Sequence, residues 1–480
     1  MTLNARIIGL VLGPALAGLM LLMGAPEGLS FAAWGTAALL VLMACWWATE
    51  AISIPATSLL PLVVLPLVGA GTPKAVAADY TNHIVVLLLG GFIVAMGIER
   101  WNLHKRIALT VLSKVGASPG RLVLGFMLAT TGLSMWISNT ATTLMMVPIA
   151  LSAAAALGDK TGRATTAILL GVCYSASIGG IATPVGTPTN LIAINWLEAE
   201  TGASISFPAW MAFGLPAAAL LIPTTWWSIT RGLPKLTNGA AVAAHVRESL
   251  NALGKLTTPE RRAAIVFGCV ATLWITRPWT VKLLGAAGFD RLGAYSGAQV
   301  DMMIAIAGAI AMFIVPASKT EGRAILKWEE AERLPWGVLV LFGGGIALGN
   351  GMLRSGLSEW IGEQLAVLSV LPPFFFVLAV VALVLFLTEL TSNVATMTTL
   401  APILGALSVA IGAAPESLLA PAAVAASCAF MLPVATAPNA IVYAAGHTPI
   451  RVMAKAGLRM NLIGIVIIAT IGHFIAPLVL

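Results

Sequence analysis

The stretch "SNTATTLMMVPI" (Ser138–Ile149) places polar residues inside an apolar run, and "SNVATMTTLAPI" (Ser392–Ile403) repeats it 254 residues later. Six of the twelve positions are identical, and a Ser-Asn pair opens both stretches. From Leu122 to Leu157 the chain has no Asp, Glu, Lys, Arg or His. Polar groups in such surroundings need hydrogen-bond partners or a ligand. The two copies therefore predict a polar site built from two related halves.

The composition around these stretches indicates a membrane protein. Of the 480 residues, 59% are hydrophobic and 9% are charged, and the mean hydropathy is +0.96. An average soluble protein has about 25% charged residues, whereas a membrane-spanning helix needs about 20 mostly apolar residues. Apolar segments centre near residues 15, 42, 62, 90, 177, 217, 271, 308, 344, 435 and 470. They predict an all-α polytopic membrane protein with about 11 transmembrane helices.

The net charge of +7 reflects membrane topology rather than nucleic-acid binding. If the N-terminus is cytoplasmic, 21 of the 26 Lys and Arg residues lie in cytoplasmic loops and five lie on the other side. This bias follows the positive-inside rule. It predicts an integral protein of a bacterial cytoplasmic (inner) membrane, surrounded by lipid, with the N-terminus inside and the C-terminus outside.

Further repeats divide the chain into two halves. The offset of 254 also pairs Gly90–Leu103 with Gly344–Leu357, and an offset of 249 pairs "PVGTPTN" (Pro184–Asn190) with "PVATAPN" (Pro433–Asn439). Basic loops flank the first Ser-Asn stretch and acidic loops the second, so the repeats are predicted to be inverted in the membrane. The expected order is an extra N-terminal span (1–31), a first repeat (32–230), a cytoplasmic linker (231–261) and a second repeat (262–480).

Each repeat is predicted to contain two irregular elements. The apolar stretches at about 121–155 and 371–410 are too short for two full spans, so each predicts a re-entrant hairpin with the Ser-Asn pair at its tip. The segments at about 165–197 and 418–446 contain prolines, which interrupt helices. Helix breaks are expected near Gly186-Thr187 and Ala435-Thr436.

These elements suit a cation and an anion together. Carbonyl, hydroxyl and amide oxygens ligate small cations, and helix N-termini bind anions. An Asn side chain can do both, since its carbonyl faces a cation and its amino group an anion. The motifs contain no Lys or Arg, so bound cations would have to neutralise an anionic substrate. This predicts coupled transport near the membrane midplane.

The chain resembles the divalent anion–sodium symporters over nearly its whole length. The resemblance rests on the motifs above, on "CWWATEAISIPATSLLPLVVLP" (Cys45–Pro66) and on "GIERWNLHKRIAL" (Gly97–Leu109). It implies a homodimer in which a transport domain moves against a scaffold in an elevator mechanism. It also implies import of a dicarboxylate, citrate or sulfate with sodium ions, without an organic cofactor.

The resemblance also implies the site residues. The first sodium site maps onto Ser134, Ser138, Asn139 and Gly186, and the second onto Thr388, Thr391, Asn393 and Ala435. The substrate-binding positions are Asn139, Thr140, Thr187, Asn393, Val394 and Thr436. Val394 stands where the family pattern has threonine, which removes one hydroxyl beside the substrate.

The leading hypothesis is a sodium-coupled importer of a C4 dicarboxylate such as succinate, malate or fumarate. Citrate symport, sulfate symport and sodium-independent exchange remain alternatives, as does a channel. An intramembrane enzyme is the competing class, but the sequence has neither an H-E-x-x-H nor a G-x-S-x-G motif. Glu389, a charge at membrane depth, is a further functional candidate, with a basic partner, a water-filled cavity or a protonation role all open.

Overall fold

The computed structural model describes residues 3–115, 118–157, 159, 161–202, 205–233, 239–288, 291, 293, 295–318, 322–365 and 372–480. Within these ranges the protein forms 24 α-helices and no strand, which confirms the all-α fold. The helices before the central linker are α1 Leu3–Met23, α2 Phe31–Thr49, α3 Ile54–Thr57, α4 Leu60–Val68, α5 Pro73–Asp79, α6 His83–Arg100, α7 Leu103–Val115, α8 Pro119–Ser134, α9 Asn139–Leu157, α10 Arg163–Gly180, α11 Pro188–Thr201 and α12 Phe207–Thr230. The remaining helices are α13 Gly239–Ala252, α14 Thr258–Ala286, α15 Gly297–Ile314, α16 Trp328–Ala331, α17 Trp336–Ser355, α18 Leu357–Leu365, α19 Pro373–Thr388, α20 Asn393–Ala410, α21 Glu416–Ser427, α22 Ala437–Ala444, α23 Ile450–Phe474 and α24 Ala476–Val479.

Ten helical segments of the described chain are long and apolar enough to cross a membrane. They contain α1, α2, α5 with α6, α9, α12, α14, α15, α17, α20, and α23 with α24. Many of their large apolar side chains are exposed, such as Leu22 (87%) and Leu478 (81%). A soluble monomer does not expose so much apolar surface, so the protein is an integral membrane protein.

Two of the predicted spans differ in detail from the helices observed. The apolar segment near residue 62 is divided between α3 and α4, because the helix is interrupted at Ser58 and Leu59. The segment near residue 435 has no helix at its centre, since α21 ends at Ser427 and α22 begins at Ala437. The linker at 231–261 contains a helix, α13, and its residues 234–238 lie outside the described ranges.

The two Ser-Asn stretches lie in helix–turn–helix units. In the first unit, Pro119 opens α8, and residues 135–138 form the turn before α9. In the second, Pro373 opens α19, and residues 389–392 form the turn before α20. Proline is favourable in a first helical turn, where its missing N–H has no helical partner to lose. We call these units hairpin 1 (Pro119–Leu157) and hairpin 2 (Pro373–Ala410).

Two unwound segments accompany the hairpins. The first, residues 181–187, lies between α10 and α11, and the second, residues 428–436, lies between α21 and α22. Thr187 and Thr436 cap the helices that follow, and both are extended, with φ near −140° and ψ of 143° and 155°. A proline follows each threonine within the first helical turn. The polar motifs with proline thus coincide with non-helical backbone, which leaves amide groups free for other partners.

Helix packing separates two groups of helices. We call α8–α12 with α19–α24 the core group, because these helices surround both hairpins and both unwound segments. We call α1–α6 with α14–α17 the frame group. The helices α7, α13 and α18 lie between them and pack against α8, α9 and α20 of the core group. Direct contacts between the groups are sparse, and the larger ones involve α2, α14 and α17 of the frame group and α11, α12 and α20 of the core group.

Candidate functional site: two oxygen clusters at hairpin tips

The tip of hairpin 1 gathers oxygen atoms from two helices. The Ser134 hydroxyl at the end of α8 lies 2.7 Å from Asn139 Oδ1 and 2.7 Å from the Ala176 carbonyl oxygen of α10. Ser134 is fully buried, and Asn139 is half-buried at the start of α9. A hydroxyl has one proton, so it cannot donate to both oxygens at the same time. Three converging oxygens with one proton among them are suited to a small cation.

Hairpin 2 repeats this arrangement with different side chains. The Thr388 hydroxyl lies 2.9 Å from Asn393 Oδ1 and 2.9 Å from the Ala426 carbonyl oxygen of α21. Thr388 is also fully buried. In each hairpin a hydroxyl before the turn, an Asn after it and a carbonyl of the neighbouring interrupted helix therefore meet. We call the two sets oxygen cluster 1 and oxygen cluster 2.

The first unwound segment reaches oxygen cluster 1. A Cβ atom added at Gly180 would lie 2.7 Å from Asn139 Oδ1 and 3.2 Å from the Gly186 carbonyl oxygen. The Gly186 carbonyl and the Asn139 amide therefore face the same point beside Gly180. Thr183 also joins the two elements, because its hydroxyl donates to the Met135 carbonyl and accepts the Gly186 N–H. The structure thus brings together Ser134, Asn139 and Gly186.

Two asparagine side chains donate hydrogen bonds to backbone carbonyls at the unwound segments in the same way. Asn190 Nδ2 donates to the carbonyls of Gly180 (2.9 Å) and Thr183 (2.8 Å). Asn439 Nδ2 donates to the carbonyls of Ala429 (3.1 Å) and Leu432 (2.8 Å). Both asparagines are fully buried, and both reach carbonyls seven and ten residues earlier. Since a buried unpaired carbonyl is costly, each Asn fixes the course of its segment.

One serine at the end of α21 contacts both the first unwound segment and the start of α11. The Ser427 hydroxyl of α21 lies 2.6 Å from Thr189 Oγ1 and 3.4 Å from Thr187 Oγ1. The Cys173 thiol of α10 likewise donates to Asn439 Oδ1 at 2.8 Å. These buried contacts connect residues more than 230 positions apart. Thr187 is thereby placed at the junction of the two halves.

The other predicted site residues have mostly local contacts. Ser138 and Thr140 are exposed, and Val394 is half-buried. The Ser138 hydroxyl accepts the Ala141 N–H, and the Thr436 hydroxyl accepts the Asn439 N–H, so both cap helices. Thr391 Oγ1 lies 2.6 Å from Thr396 Oγ1, and Ala435 is 5% exposed. No side-chain hydrogen bond among the described residues joins these six to oxygen cluster 1 or 2.

Glu389, at the turn of hairpin 2, is bound by backbone amides. Its carboxylate accepts N–H groups from Phe430, Met431 and Leu432 at 2.8–3.1 Å and the Asn461 side-chain amide at 2.7 Å. It is 3% exposed. Neither a basic partner nor a water-filled cavity is needed to satisfy its oxygens, because three backbone amides and one side-chain amide already bind them. Glu389 therefore fixes the second unwound segment directly behind the hairpin tip.

Sequence reasoning missed several of these residues. Asn190 and Asn439 were detectable, because each is the last residue of a repeated seven-residue motif. The carbonyls of Ala176 and Ala426 were not, since a backbone oxygen leaves no residue-type signal. The role of Ser427 depends on contact between the two halves, which no local pattern shows.

The arrangement is suited to binding a cation through uncharged oxygen ligands, with an anion beside it. Helices α9, α11, α20 and α22 begin at the hairpin tips or unwound segments, so their N-terminal amides and partial positive charge are available to an anion. In the described part of the chain no Lys or Arg hydrogen-bonds to either oxygen cluster, and no group of three His, Cys, Asp or Glu forms a metal site. The chemistry is that of weak oxygen ligation, which suits a monovalent cation.

This chain is similar to known sodium-dependent transporters over nearly its whole length. Residues 4–480 match the model of the sodium:sulfate symporter transmembrane region. The chain is 41% identical to the sodium-dependent dicarboxylate transporter SdcS of Staphylococcus saprophyticus over 490 residues, which covers 99% of this chain and 92% of that protein. It is 42% identical to the protein of the same name from Staphylococcus aureus, with the same coverage.

Solved transporter structures share the fold at low sequence identity. The YdaH transporter of Alcanivorax borkumensis has a TM-score of 0.57 and 17% identity, covering 92% of this chain and 96% of its own. MtrF of Neisseria gonorrhoeae, described as an antimetabolite efflux pump, has a TM-score of 0.58 and 13% identity, covering 98% and 94%. These similarities concern the fold alone.

Proposed function

Because this chain belongs to the sodium:sulfate symporter family, we propose that it is a sodium-coupled symporter that imports a small C4 dicarboxylate such as succinate, malate or fumarate. The Staphylococcus relatives named as sodium-dependent dicarboxylate transporters support the substrate class. Their names also disfavour an intramembrane enzyme. Resemblance to the family is confirmed by the match over residues 4–480.

The observation that carries the proposal is the pair of oxygen clusters. Each has the hydroxyl–amide–carbonyl set that a small monovalent cation needs, with neither a carboxylate nor a basic side chain in it. A dicarboxylate between them would bring two negative charges into an apolar interior at a high desolvation cost. Two bound sodium ions offset that charge. Uptake of the anion therefore depends on sodium.

Each predicted residue has a role in this proposal. Sodium is held at the first site by Ser134, Ser138, Asn139 and Gly186, and at the second by Thr388, Thr391, Asn393 and Ala435. The anion is bound by Asn139, Thr140 and Thr187 on one side and by Asn393, Val394 and Thr436 on the other. Its helix-capping position suits Thr436 to this role, because it places the hydroxyl at a helix N-terminus, where anions bind.

The same proposal includes the membrane architecture. Hairpins 1 and 2 are re-entrant and enter from opposite sides, as parts of inverted repeats at 32–230 and 262–480. The protein lies in the bacterial cytoplasmic membrane, with the N-terminus inside and the C-terminus outside, and it acts as a homodimer. The core group moves against the frame group in an elevator mechanism, which the sparse direct contacts between them favour.

Labelled succinate uptake into proteoliposomes tests the function. An inward sodium gradient is expected to drive uptake, and potassium in its place is expected to give none. Unlabelled malate and fumarate compete, whereas citrate and sulfate do not. Uptake that ignores the sodium gradient and needs internal dicarboxylate would identify an exchanger. Sulfate uptake without succinate uptake would identify the substrate as sulfate, the anion named in the family description.

A further inference from the structure

An ion pair joins the core group to the frame group. His83 is the first residue of α6 in the frame group, and its Nε2 lies 3.3 Å from Glu198 Oε2 near the end of α11 in the core group. The other oxygen of Glu198 accepts the Ile205 N–H at 3.1 Å. The side chains are 26% and 14% exposed. Glu198 therefore holds α6, α11 and the connection to α12 together.

Two further charges lie at this junction. Arg277 of α14 and Asp301 of α15 are 7% and 3% exposed, and Arg277 Nε lies 3.6 Å from Asp301 Oδ1. The charge of Glu198 acts on the Asp301 carboxyl group, which the Phe207 backbone amide of the core group also approaches. On the neighbouring α5 and α17, Asp79 is already paired with Arg354. With a neutral imidazole the pair of His83 and Glu198 carries one net negative charge, and with a protonated imidazole it carries none.

An aromatic contact accompanies these charges. Trp136, at the turn of hairpin 1, is parallel to Trp274 of α14, with ring centroids 6.5 Å apart and an interplanar angle of 2°. Phe207 of α12 stacks on Trp274 at 4.9 Å, and Phe267 of α14 meets the edge of Trp136 at 5.3 Å. Trp274 Nε1 donates to the Asp301 carbonyl at 3.0 Å, so the aromatic and charged contacts are continuous. Movement of hairpin 1 away from α14 breaks the contacts of Trp136 with Trp274 and Phe267, whereas the Trp274–Asp301 hydrogen bond lies within the frame group.

We propose that His83 and Glu198 form a proton-dependent latch that keeps the core group against the frame group on the outer side of the membrane. The latch rests on the proposed alternating access and membrane orientation. Protonation of His83 adds the positive charge that the junction lacks and strengthens the contact with Glu198. Deprotonation leaves a hydrogen bond between a neutral imidazole and the Glu198 carboxylate, whose negative charge is then unbalanced. Acidic external medium therefore holds the two groups in the arrangement described here, and a higher external pH favours their separation.

Distances between spin labels test the latch without relying on transport. One label replaces Phe31 at the start of α2, and the other replaces Val409 near the end of α20, where both side chains are exposed at 63%. Cys269, the exposed native cysteine, is replaced by serine. Between about pH 8 and about pH 6, the ratio of the short-distance to the long-distance population is expected to rise about twofold to fivefold, the range that a partly exposed ion pair supports.

Three substitutions make the test specific to the pair. His83→Gln and Glu198→Gln are expected to remove the pH dependence and favour the released population, whereas His83→Lys is expected to remain latched at both pH values. His473→Gln is the matched control, because His473 lies near the end of α23 in the core group and packs against Phe374 and Phe474. That variant keeps the wild-type response.

The outcomes separate the latch from the transport function. A His83→Gln protein that retains the wild-type pH response would overturn the latch. The label distance in the wild type could change with pH in a way that requires His83, while the protein shows no sodium-driven uptake. That result would support the latch and overturn the proposed symport. When uptake is compared at the two pH values, the concentration of the substrate dianion is kept equal. A difference in uptake then cannot come from protonation of the substrate.

Discussion

Gly186 is the residue at which the two halves of the site differ most sharply. A Cβ atom added there would lie 2.5 Å from the Gly180 carbonyl oxygen, closer than Cβ contacts occur. In the second half the equivalent positions are Ala435 and Ala429, which carry a Cβ atom. The sequence repeat alone suggests that alanine is acceptable at Gly186. The backbone of the first unwound segment excludes it.

Gly186→Ala is expected to raise the half-saturating sodium concentration for uptake by about tenfold or more. Overpacking a tight contact costs about 1–3 kcal/mol, and about 1.4 kcal/mol corresponds to tenfold. The cost arises because the carbonyl of residue 186 must move away from Asn139. The half-saturating sodium concentration for succinate uptake measures the effect.

Gly132→Ala provides the matched control for that substitution. Gly132 lies in α8 of the same hairpin, and an added Cβ would meet no atom within 4 Å. Its sodium dependence should equal that of the wild type, and alanine is the better helix former. If Gly186→Ala also behaves like the wild type, the Gly186 carbonyl is not a sodium ligand.

At the scale of elements, an asparagine side chain binds carbonyl groups of each unwound segment, but only the second segment also has its amide groups bound by a carboxylate. Asn190 and Asn439 hold carbonyl groups of both segments. The amides of the second segment are held by Glu389, whereas the position equivalent to Glu389 in hairpin 1 is Met135. The second segment therefore depends on a carboxylate that the first does without.

Glu389→Gln is expected to destabilise the second unwound segment and lower the sodium affinity of the protein. The glutamine amino group would face backbone N–H donors, and each buried donor left unpaired costs about 1–3 kcal/mol. The midpoint of thermal unfolding should fall, and added sodium should restore less of it than in the wild type. Thermal unfolding in detergent, with sodium or potassium, measures both quantities.

Glu359→Gln controls for the loss of a carboxylate. Glu359 is exposed on α18, so its removal should leave both the unfolding midpoint and the sodium response unchanged. Equal behaviour of the two variants would contradict an anchoring role for Glu389.

These elements also show what the sequence can predict. Prolines and small polar residues indicated the unwound segments, because proline prevents helix continuation. The helices end earlier than the predicted breaks near Gly186-Thr187 and Ala435-Thr436, since α10 ends at Gly180 and α21 at Ser427. The amide partners of Glu389 are backbone groups of a segment about 40 residues away. No pattern of residue types could therefore predict them. The division between α3 and α4 was missed, although Thr57, Ser58 and Pro61 lie at the interruption. The number of membrane crossings stays a prediction, since short apolar helices such as Pro373–Thr388 fit either a span or a half-span.

At the scale of the whole molecule, the proposed anion is the link between the two oxygen clusters. Cluster 1 belongs to hairpin 1 and α10, and cluster 2 belongs to hairpin 2 and α21. Without an anion the two clusters share no ligand. With a dicarboxylate bound between Asn139 and Asn393, each sodium ion stabilises the same negative charge. Sodium binding at one cluster then raises the affinity of the other through the anion.

A double-mutant cycle of Ser134→Ala and Thr388→Val detects this link. Each substitution removes one oxygen ligand and is expected to raise the sodium concentration needed for thermal stabilisation by about fivefold to tenfold, the value of one hydrogen-bonding group. Without dicarboxylate the two effects should add, because separate sites do not couple. With saturating succinate they should deviate from additivity by at least about 0.5 kcal/mol, as groups that share a partner do. Thr470→Val, on the exposed face of α23, should alter neither measurement. Coupling of equal size with and without succinate would mean that the protein itself, and not the anion, joins the two sites.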